Sequence, residues 1–405
     1  MRDGLQKKRF TAQWAIIALF ALPLLLAGGI VLRGQRELSE TENRTLTRFP
    51  AFSWPAFVDG SFQDTLEDAL GDQLLFSGTV KEGVQDVRNA VTGLQRSLLY
   101  SAQPALRSGY SPIAEGYCFY AGEENRIVEV PQDYLDGQEH LDRLAASFRD
   151  LPDVRLCLYF IENSRVVDFD HPETADAPRT RVLEAFRPDA SDVFRVPDWE
   201  TYKKLFYQTD HHWNQEGAYL GYQAICRLLH PEDWETLLLK PEETVTLPVV
   251  FQGSYARQTH LLCADEPFTV QRFELPAHQT LIQGKRGTYG HRSLYERGKK
   301  IPTDALRNHY AYCFGGDYAL VEFDFNQPER GNLLLVASSY SNPINELIAA
   351  GYGHTWVVDL RYWEAWAGTP FDPAAFCAEH DVRDVLLLGD VNLFYVDEAE
   401  RGSEE

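Results

Sequence analysis

The sequence predicts an α/β fold in which a parallel β-sheet is flanked by helices and preceded by an N-terminal transmembrane helix. After about residue 100, short β-branched apolar runs alternate with amphipathic segments, and near the N-terminus residues 10–32 contain no charged side chain. The alternation is typical of buried parallel strands covered by helices. The predicted strands lie at 154–161, 332–337, 354–360 and 384–389, and the predicted helices at 135–150, 214–229 and 342–351.

The N-terminal run 14–32, WAIIALFALPLLLAGGIVL, is long enough as a helix to cross the hydrocarbon core of a bilayer. Four basic residues precede it, namely Arg2, Lys7, Lys8 and Arg9. By the positive-inside rule, we expect a single-pass protein of the cell membrane with a cytoplasmic N-terminus and an extracytoplasmic main domain. A cleaved signal peptide is the alternative, although the run is longer than the usual apolar core and residues 27–29 form a weak cleavage site.

The rest of the chain divides by composition into three parts. Residues 34–100 are predicted to form a polar linker and a helical neck. The neck residues expected to share one helix face are Phe62, Leu66, Leu70, Leu74 and Leu75. Residues 101–397 are predicted to form the main domain, with an irregular insertion at about 235–300, and residues 398–405 form an acidic tail.

Composition limits the partners that this chain could bind. The net charge of −22 and pI near 4.9 repel phosphate, so no nucleic acid partner is expected and a neutral or weakly charged ligand is favoured. No cofactor is predicted. The six cysteines include no CxxC pair and no zinc-ligand spacing, so both disulfides and small buried thiols such as Cys157 and Cys226 remain open.

The stretch 207–214, YQTDHHWN, concentrates side chains that can handle protons. Asn214 is a good N-cap for a helix beginning at Gln215, so the preceding residues are predicted to be extended. Alternation along an extended segment would place Asp210 and His212 on one face, with His211 on the other. The carboxylate could then orient the His212 imidazole through Nδ1 and leave Nε2 as a general base.

A second stretch, 332–351, reads NLLLVASSYSNPINELIAAG. An apolar strand is predicted to run into Ser338 and Ser339, and a helix to begin at Asn342 and Pro343. Open α/β sheets bind ligands at the carboxyl ends of their strands, and backbone N–H groups there can stabilise an oxyanion. Ser339 is therefore the predicted nucleophile, although the G-x-S-x-G elbow of α/β-hydrolases is absent.

Several motifs together resemble the DHHW family, which is similar to SGNH-type enzymes that O-acetylate exopolysaccharides such as alginate. The motifs are ENRTL at 42–46 with Phe49-Pro50, TDHHWN at 209–214, Phe-Gly-Gly at 314–316, LLLVASSYSNP at 333–343 and VVDLRYW at 357–363. They occur in the family order over most of residues 40–395. The resemblance implies an SGNH-hydrolase-like fold.

By the same resemblance, Asp210 orients, His212 is the base and Ser339 is the nucleophile of an acyl-serine mechanism. The implied activity is O-acyl transfer to, or acyl ester hydrolysis from, a glycan or polysaccharide of the cell envelope. A membrane-bound O-acyltransferase is the partner implied to supply the acyl group. Two positions depart from the family: Ser338 stands where an Asp is usual, and 72–77 lacks the usual aromatic and arginine.

Other readings of these residues remain open at this point. Asp210 and His212 could form a polar turn before a helix, or ligate a metal, although no third and fourth ligands are evident at metal spacing. The remaining predicted contacts to substrate or oxyanion are Gly316, Tyr340, Trp213 and Arg361, of which Trp213 could equally be core and Arg361 an ion-pair partner of Asp359. A non-catalytic polysaccharide-binding or scaffold protein is the alternative function.

Overall fold

The computed structural model describes residues 34–36, 38–39, 44–73, 77–102, 109–287, 298 and 300–396. The predicted membrane anchor at 14–32 and the predicted acidic tail at 398–405 lie outside these residues. Within them, no helix combines the length and the apolar character that crossing a bilayer requires. The chain divides into two compact units, 1–95 and 96–405, which are described separately.

The described strands, numbered in chain order, are β1 Leu38–Ser39, β2 Arg44–Thr45, β3 Tyr110–Ala114, β4 Tyr117–Tyr120, β5 Glu123–Glu129, β6 Arg155–Ile161, β7 Ala190–Phe194, β8 Glu243–Val250, β9 Pro267–Arg272, β10 Gln279–Ile282, β11 Lys285–Arg286, β12 Leu320–Asp324, β13 Asn332–Ala337, β14 His354–Val358 and β15 Val382–Gly389. The described α-helices are α1 Trp54–Asp59, α2 Ser61–Gln73, α3 Ser77–Ala102, α4 Gln138–Phe148, α5 Asp176–Phe186, α6 Trp199–Leu205, α7 Gln215–Leu229, α8 Trp234–Leu237, α9 Ser254–Thr259, α10 His309–Phe314, α11 Asn345–Ala349, α12 Leu360–Ala367, α13 Pro373–Glu379 and α14 Val391–Tyr395.

In the first unit, the end of α2 is tied to the segment that precedes it. The Arg36 backbone N–H donates to Gln73 Oε1 at 2.9 Å, and the Gln73 amide donates back to the Arg36 carbonyl at 2.9 Å. The Thr47 N–H donates to Asp72 Oδ2 at 2.9 Å. Asp72 and Gln73 are buried, so these bonds satisfy polar groups that would otherwise be costly to bury.

In the second unit, an eight-stranded sheet has the order β11-β10-β12-β14-β13-β15-β6-β7. The five strands from β14 to β7 are parallel, and they include all four strands predicted from the sequence. The predicted α/β fold with flanking helices is therefore confirmed. The prediction of an entirely parallel sheet is wrong, because β12, β10 and β11 add to it in antiparallel pairing.

The central strands are apolar on both faces because both faces are covered. Residues 333–337 of β13 and 385–389 of β15 are all buried. Helix α7 packs on β6 and β7, α11 packs on β14, and α13 and α14 pack on β15. The carboxyl ends of these strands form one edge of the sheet, where polar side chains can meet beside a rigid apolar core.

In the tract predicted to be an insertion, at about 235–300, the described residues 235–287 are more ordered and more integrated than their composition suggests. Strands β8 and β9 pair as a separate antiparallel ribbon, α9 lies between them in sequence, and β10 joins the edge of the main sheet. A further three-stranded sheet, β3-β4-β5, precedes β6 and was not predicted.

All six cysteines of the chain lie within the described residues and are reduced thiols. Cys157 and Cys226 are buried in β6 and α7, in agreement with the reading of both as small core residues. Only Cys263 is partly exposed. The fold therefore assembles without a disulfide among these residues.

Candidate active site

Ser339 lies directly beyond the carboxyl end of β13. The strand ends at Ala337, and residues 339–341 form a single 3₁₀ turn. The helix predicted to begin at Asn342 begins instead at Asn345, so the proposed N-cap role of Asn342 is wrong. Its side-chain amide donates to Asp317 Oδ1 at 3.0 Å, and this bond fixes the turn against the segment after α10.

The YQTDHHWN stretch is a tight loop between α6 and α7. Phe206 and Trp213 form an isolated antiparallel bridge, and the residues between them turn and bend. Asn214 does cap α7 as predicted, since its Oδ1 accepts from the N–H groups of Glu216 and Gly217. The predicted extended conformation is wrong, because the bridge closes the segment into a loop.

Within that loop, the Asp210 carboxylate faces the His212 ring. Asp210 Oδ1 lies 2.6 Å from His212 Nδ1 and also accepts from the His212 backbone N–H at 3.0 Å. His212 Nε2 lies 2.8 Å from Ser339 Oγ, although the two residues are 127 positions apart. The structure thus brings the three predicted residues into one hydrogen-bonded chain.

A segment that sequence reasoning overlooked supports the Asp210 carboxylate from its other side. The Ser254 backbone N–H donates to Asp210 Oδ2 at 2.7 Å, and the Gly253 N–H donates to Thr209 Oγ1 at 2.9 Å. Burial opposes the charged form, but the imidazoles of His212 and His211 hold the pKa of Asp210 well below its ordinary value. The carboxylate therefore stays ionised while almost wholly buried.

Tyr310, which belongs to α10, covers one face of the His212 ring. Its ring stacks on the His212 ring with centroids 4.0 Å apart and planes 12° apart. Its hydroxyl donates to the Ser339 carbonyl at 2.9 Å. One aromatic side chain therefore positions both the imidazole and the backbone of the serine. Nothing in the sequence around Tyr310 marked it for this role.

His211 is not turned away from the site, and the prediction that alternation separates the two histidines is wrong. The His211 and His212 rings lie 3.9 Å apart between centroids, and His211 Nδ1 lies 3.0 Å from Ser254 Oγ. The cause is the loop, which brings the two rings together and places His211 in the lining of the cleft beside Ser339. Burial and then the neighbouring His212 lower the pKa of His211 well below its ordinary value.

A cleft of about 210 Å³ opens beside Ser339. Its polar lining comes from the carboxyl ends of neighbouring parallel strands: Arg165 beyond β6, Ser339 beyond β13, Asp359 and Arg361 beyond β14, and Asp390 beyond β15. This is the edge at which α/β sheets bind ligands. The signal for Asp390 was present in the sequence, since it directly follows a predicted strand.

Two arginine–carboxylate pairs lie in the cleft. Arg165 donates to Asp390 Oδ2 at 2.8 Å and also pairs with Glu129. Arg361 pairs with Asp359 through Nη2 and Oδ2 at 2.6 Å, and its Nη2 lies 3.4 Å from Asp317 Oδ2. The ion pair expected between Arg361 and Asp359 is therefore present, and the same arginine also lines the cleft.

The prediction that Trp213 contacts substrate is wrong. Its ring is completely buried, packs edge-on against Phe194 and Tyr340, and donates through Nε1 to the Tyr340 carbonyl at 3.0 Å. Gly221 lies so close to the indole that an added Cβ there would be 2.5 Å from Trp213 Cζ3. Trp213 therefore supports the serine turn from the core, because its only polar atom is used there.

The other two predicted residues differ in their position. Tyr340 lines the cleft, but its side chain is buried and its hydroxyl donates to the His211 carbonyl at 2.5 Å. Gly316 follows the end of α10 and is not among the residues that line the cleft. The oxyanion contacts expected of Gly316 and Tyr340 stay predictions. For Tyr340 the predicted contact is through the backbone N–H, because the side chain is buried.

The Ser338 hydroxyl, at the position where the family has an Asp, is buried and has no hydrogen-bond partner among the described residues. Asp210, His211 and His212 also place one ligand atom each within 4.8 Å of one another, as a metal site would. The nitrogen and oxygen atoms that would ligate the metal instead make hydrogen bonds to one another, to Ser254 or to Ser339. A carboxylate, an imidazole and a hydroxyl joined in this order can act chemically as an orienting acid, a base and a nucleophile.

Comparison with known proteins places this site in a family context. Residues 179–297 match the family described as an SGNH hydrolase-like domain, acetyltransferase AlgX. The match confirms the resemblance inferred from the motifs for the segment that contains Asp210 and His212, and it ends before Ser339. A comparison with curated proteins finds no match.

Among solved structures, Bacillus cereus PatB1 is similar with 15% identity and a TM-score of 0.50, over 68% of this chain and 96% of that one. A DHHW family protein from Eubacterium siraeum has 16% identity and a TM-score of 0.48, over 72% and 96%. The O-acetyltransferase domain of Pseudomonas putida AlgJ has 12% identity and a TM-score of 0.36, over 72% and 95%. The PatB1 likeness extends the agreement to the fold.

Proposed function

We propose that this protein is an O-acyltransferase or acyl esterase that works through an acyl-serine intermediate. The observation that carries the proposal is the unbroken hydrogen-bonded chain from Asp210 through His212 to Ser339. A serine hydroxyl is a weak nucleophile until an adjacent base removes its proton, and the base needs a third group to fix its tautomer. In the proposed mechanism Ser339 is the nucleophile, His212 is the base and Asp210 fixes the tautomer of the base.

In the proposed reaction, Ser339 Oγ attacks the acyl carbonyl while its proton passes to His212 Nε2. The tetrahedral intermediate collapses, the proton moves to the departing oxygen, and the acyl group remains on Ser339. An acceptor hydroxyl or water then loses its proton to His212 and attacks the acyl-enzyme. Asp210 holds the proton on His212 Nδ1 throughout and stabilises the imidazolium that forms.

The proposal also covers the substrate and the location, for which the support comes from the sequence and the matched family. The name of the matched family favours an acetyl group, and the acidic chain favours a neutral or weakly charged acceptor such as a glycan. The run at 14–32 would anchor the domain on the outer side of the membrane. By the same resemblance, a membrane-bound O-acyltransferase would supply the acyl group.

A non-catalytic scaffold or polysaccharide-binding role is the second candidate. The observation that favours it is Ser338, whose buried hydroxyl makes no bond next to the nucleophile. A hydroxyl does not provide the charge of the family's Asp at this position. The two candidates differ in one measurable respect, which is whether Ser339 reacts covalently.

The test is reaction of the purified full chain with phenylmethanesulfonyl fluoride, read by intact mass and peptide mapping, beside p-nitrophenyl acetate hydrolysis. The solved PatB1 structure carries a sulfonyl adduct, which makes this class of probe appropriate. We expect one adduct on Ser339 and turnover that falls by at least about 10³-fold in Ser339→Ala and in His212→Ala.

Ser338→Ala is the matched control, because it removes a hydroxyl one residue away that has no partner. It should keep both labelling and turnover. An unlabelled, folded wild-type chain that also lacks esterase activity would favour the scaffold, and a label on any serine other than Ser339 would contradict the proposed roles.

A further inference from the structure

Asp390 is a buried carboxylate of the cleft that the proposed mechanism does not use. It directly follows β15, and Ser339 follows the neighbouring strand β13 by two residues. Ala337 pairs with Leu388 in the parallel register of the two strands. Continued by two residues, that register sets Ser339 beside Asp390, and both residues line the cleft. The carboxylate therefore belongs to the immediate surroundings of the nucleophile.

The Asp390 side chain does not cap its own helix. Asp390 is the N-cap residue of α14, a position at which an aspartate usually accepts from the first N–H groups of the helix, but its side chain makes no such bond. Instead, Asn163 Nδ2 donates to Asp390 Oδ2 at 2.8 Å and to Tyr340 Oη at 2.7 Å. Arg165 Nη1 donates to the same Oδ2 at 2.8 Å. These bonds fix the carboxylate relative to the turn that carries Ser339.

One oxygen of this carboxylate is unused. Asp390 Oδ1 has no hydrogen-bond partner among the described residues, although the side chain is only 2% exposed. The other carboxylate that lines the cleft, Asp359, differs, because Arg361 donates to both of its oxygens. A nearly buried acceptor without a donor is costly unless a ligand supplies one. The cleft therefore contains one position that can accept a hydrogen bond from a bound molecule.

The charges around the cleft favour an uncharged ligand over an anion. Each of the two arginines that line the cleft is shared by two carboxylates. The two groups are Arg165 with Glu129 and Asp390, and Arg361 with Asp317 and Asp359. With two carboxylates for one guanidinium, each group carries one excess negative charge. An anionic ligand would therefore be repelled from both sides of the nucleophile.

We propose that Asp390 binds the acceptor of the acyl group. Its Oδ1 accepts a hydrogen bond from a hydroxyl that neighbours the one to be acylated, and its charge selects an uncharged polyol, such as a neutral sugar, against a uronate. This assignment rests on the proposed acyl-serine function and names the chemical class of the acceptor. A site with a buried polar group discriminates strongly against a ligand that lacks the matching hydroxyl, because the group is then left unpaired.

The experiment measures hydrolysis by the full chain of three acetyl esters that differ only in the leaving alcohol. By microscopic reversibility, the alcohol that leaves an ester occupies the place from which an acceptor attacks the acyl-enzyme. 2-Hydroxyethyl acetate carries the neighbouring hydroxyl, propyl acetate replaces that hydroxyl with a methyl group, and 3-acetoxypropanoate replaces it with a carboxylate. We expect kcat/KM for 2-hydroxyethyl acetate to exceed that for each of the other two by at least about tenfold.

Asp390→Asn tests the residue itself. The side-chain oxygen of the asparagine must face the donors of Asn163 and Arg165, so its amide directs an N–H toward the cleft. We expect the preference for 2-hydroxyethyl acetate over 3-acetoxypropanoate to fall by at least about tenfold. Asp372→Asn is the matched control, because it removes the same charge at the exposed N-cap of α13, where asparagine caps equally well. It should keep the wild-type preference.

Each outcome supports or overturns the assignment. Equal kcat/KM values for the three esters overturn it, and this comparison in the wild type does not depend on the folding of any variant. A folded Asp390→Asn chain with the wild-type preference overturns it as well. So does a wild type that cleaves p-nitrophenyl acetate but not 2-hydroxyethyl acetate. The sulfonyl fluoride label on Ser339 separates these failures from that of the proposed function, since a chain that takes no label and cleaves no ester contradicts both.

Discussion

Gly253 lies so close to Asp210 that a Cβ added at Gly253 would sit 2.3 Å from the Asp210 Cβ and 2.5 Å from its Oδ2. The backbone of Gly253 has an ordinary negative φ of −80°, so glycine is required there by space and not by conformation. The segment that carries Ser254 can approach the carboxylate only because this position has no side chain.

Gly253→Ala should therefore displace Asp210 without removing any polar group. We expect a loss of stability of about 1–3 kcal/mol from overpacking, with a fall in kcat, because the carboxylate can no longer orient His212. Ester turnover and urea unfolding measure the two effects. Gly93→Ala is the control, since a Cβ there meets no atom within 4 Å, and an equal loss in both variants would contradict the steric argument.

Asp210→Asn should preserve the shape of the site and lose its chemistry. The amide can place an N–H against His212 Nδ1, which forces the imidazole proton onto Nε2 and removes the base from Ser339. A fall in kcat of about 10⁴-fold is expected for such a change of tautomer. Retention of more than a tenth of wild-type turnover would show that Asp210 does not orient the base.

The same substitution changes the acid stability. The pKa of Asp210 is lower in the folded chain than in the unfolded chain, so the carboxylate contributes stability above about pH 4, the unfolded value, and loses it as pH falls toward the folded pKa. Urea unfolding between pH 3 and pH 7 measures this. The stability difference between wild type and Asp210→Asn should shrink on acidification and stay constant above pH 5.

Glu266 should have the opposite dependence on pH. Burial raises the pKa of Glu266 to about 7, and its Oε1 accepts from the Gln208 N–H beside the catalytic loop at 2.7 Å. Its stability contribution is complete below the unfolded value and is lost as pH rises through about 7. Relative to Glu266→Gln, the wild type should lose on the order of 2–3 kcal/mol between pH 5 and pH 8. A difference that does not change with pH would rule this out.

Ser338→Ala should be neutral for stability, because the hydroxyl that it removes has no hydrogen-bond partner among the described residues. Ser341→Ala is the matched comparison within the same turn. Its buried Oγ donates to the Ser338 carbonyl at 2.9 Å, so its removal should cost about 1 kcal/mol. Denaturant midpoints of the two variants decide the point, and equal values would contradict it.

Trp213→Phe should destabilise the fold by about 1–3 kcal/mol, because it empties a packed space and breaks the Nε1 bond to Tyr340. Trp366→Phe changes a side chain that is 39% exposed and should leave stability within about 0.5 kcal/mol of the wild type. Thermal unfolding of both variants is the measurement. Comparable effects would mean that the indole of Trp213 is not the core support described above.

The central strands and the three residues of the hydrogen-bonded chain could be predicted from the sequence. Continuous apolar runs reveal buried parallel strands, and a polar residue at a strand end marks the edge where sites form. The residues that position these three side chains could not be predicted. Gly253, Ser254 and Tyr310 lie in tracts with no periodic pattern, and they contact residues that are far away in the sequence. The loop that turns His211 toward the cleft depends on the bridge between Phe206 and Trp213, and local alternation cannot reveal such a closure.

The buried cysteines determine how the chain responds to thiol reagents. Burial raises the pKa of Cys118 to about 12 and those of Cys157, Cys226 and Cys377 to about 11. Since only the thiolate is nucleophilic, on the order of one molecule in 10⁴ presents a reactive sulfur at these positions near neutral pH. At these four positions the folded wild type is thus a nearly silent background for alkylation, and a cysteine introduced at the surface can be followed without replacing them.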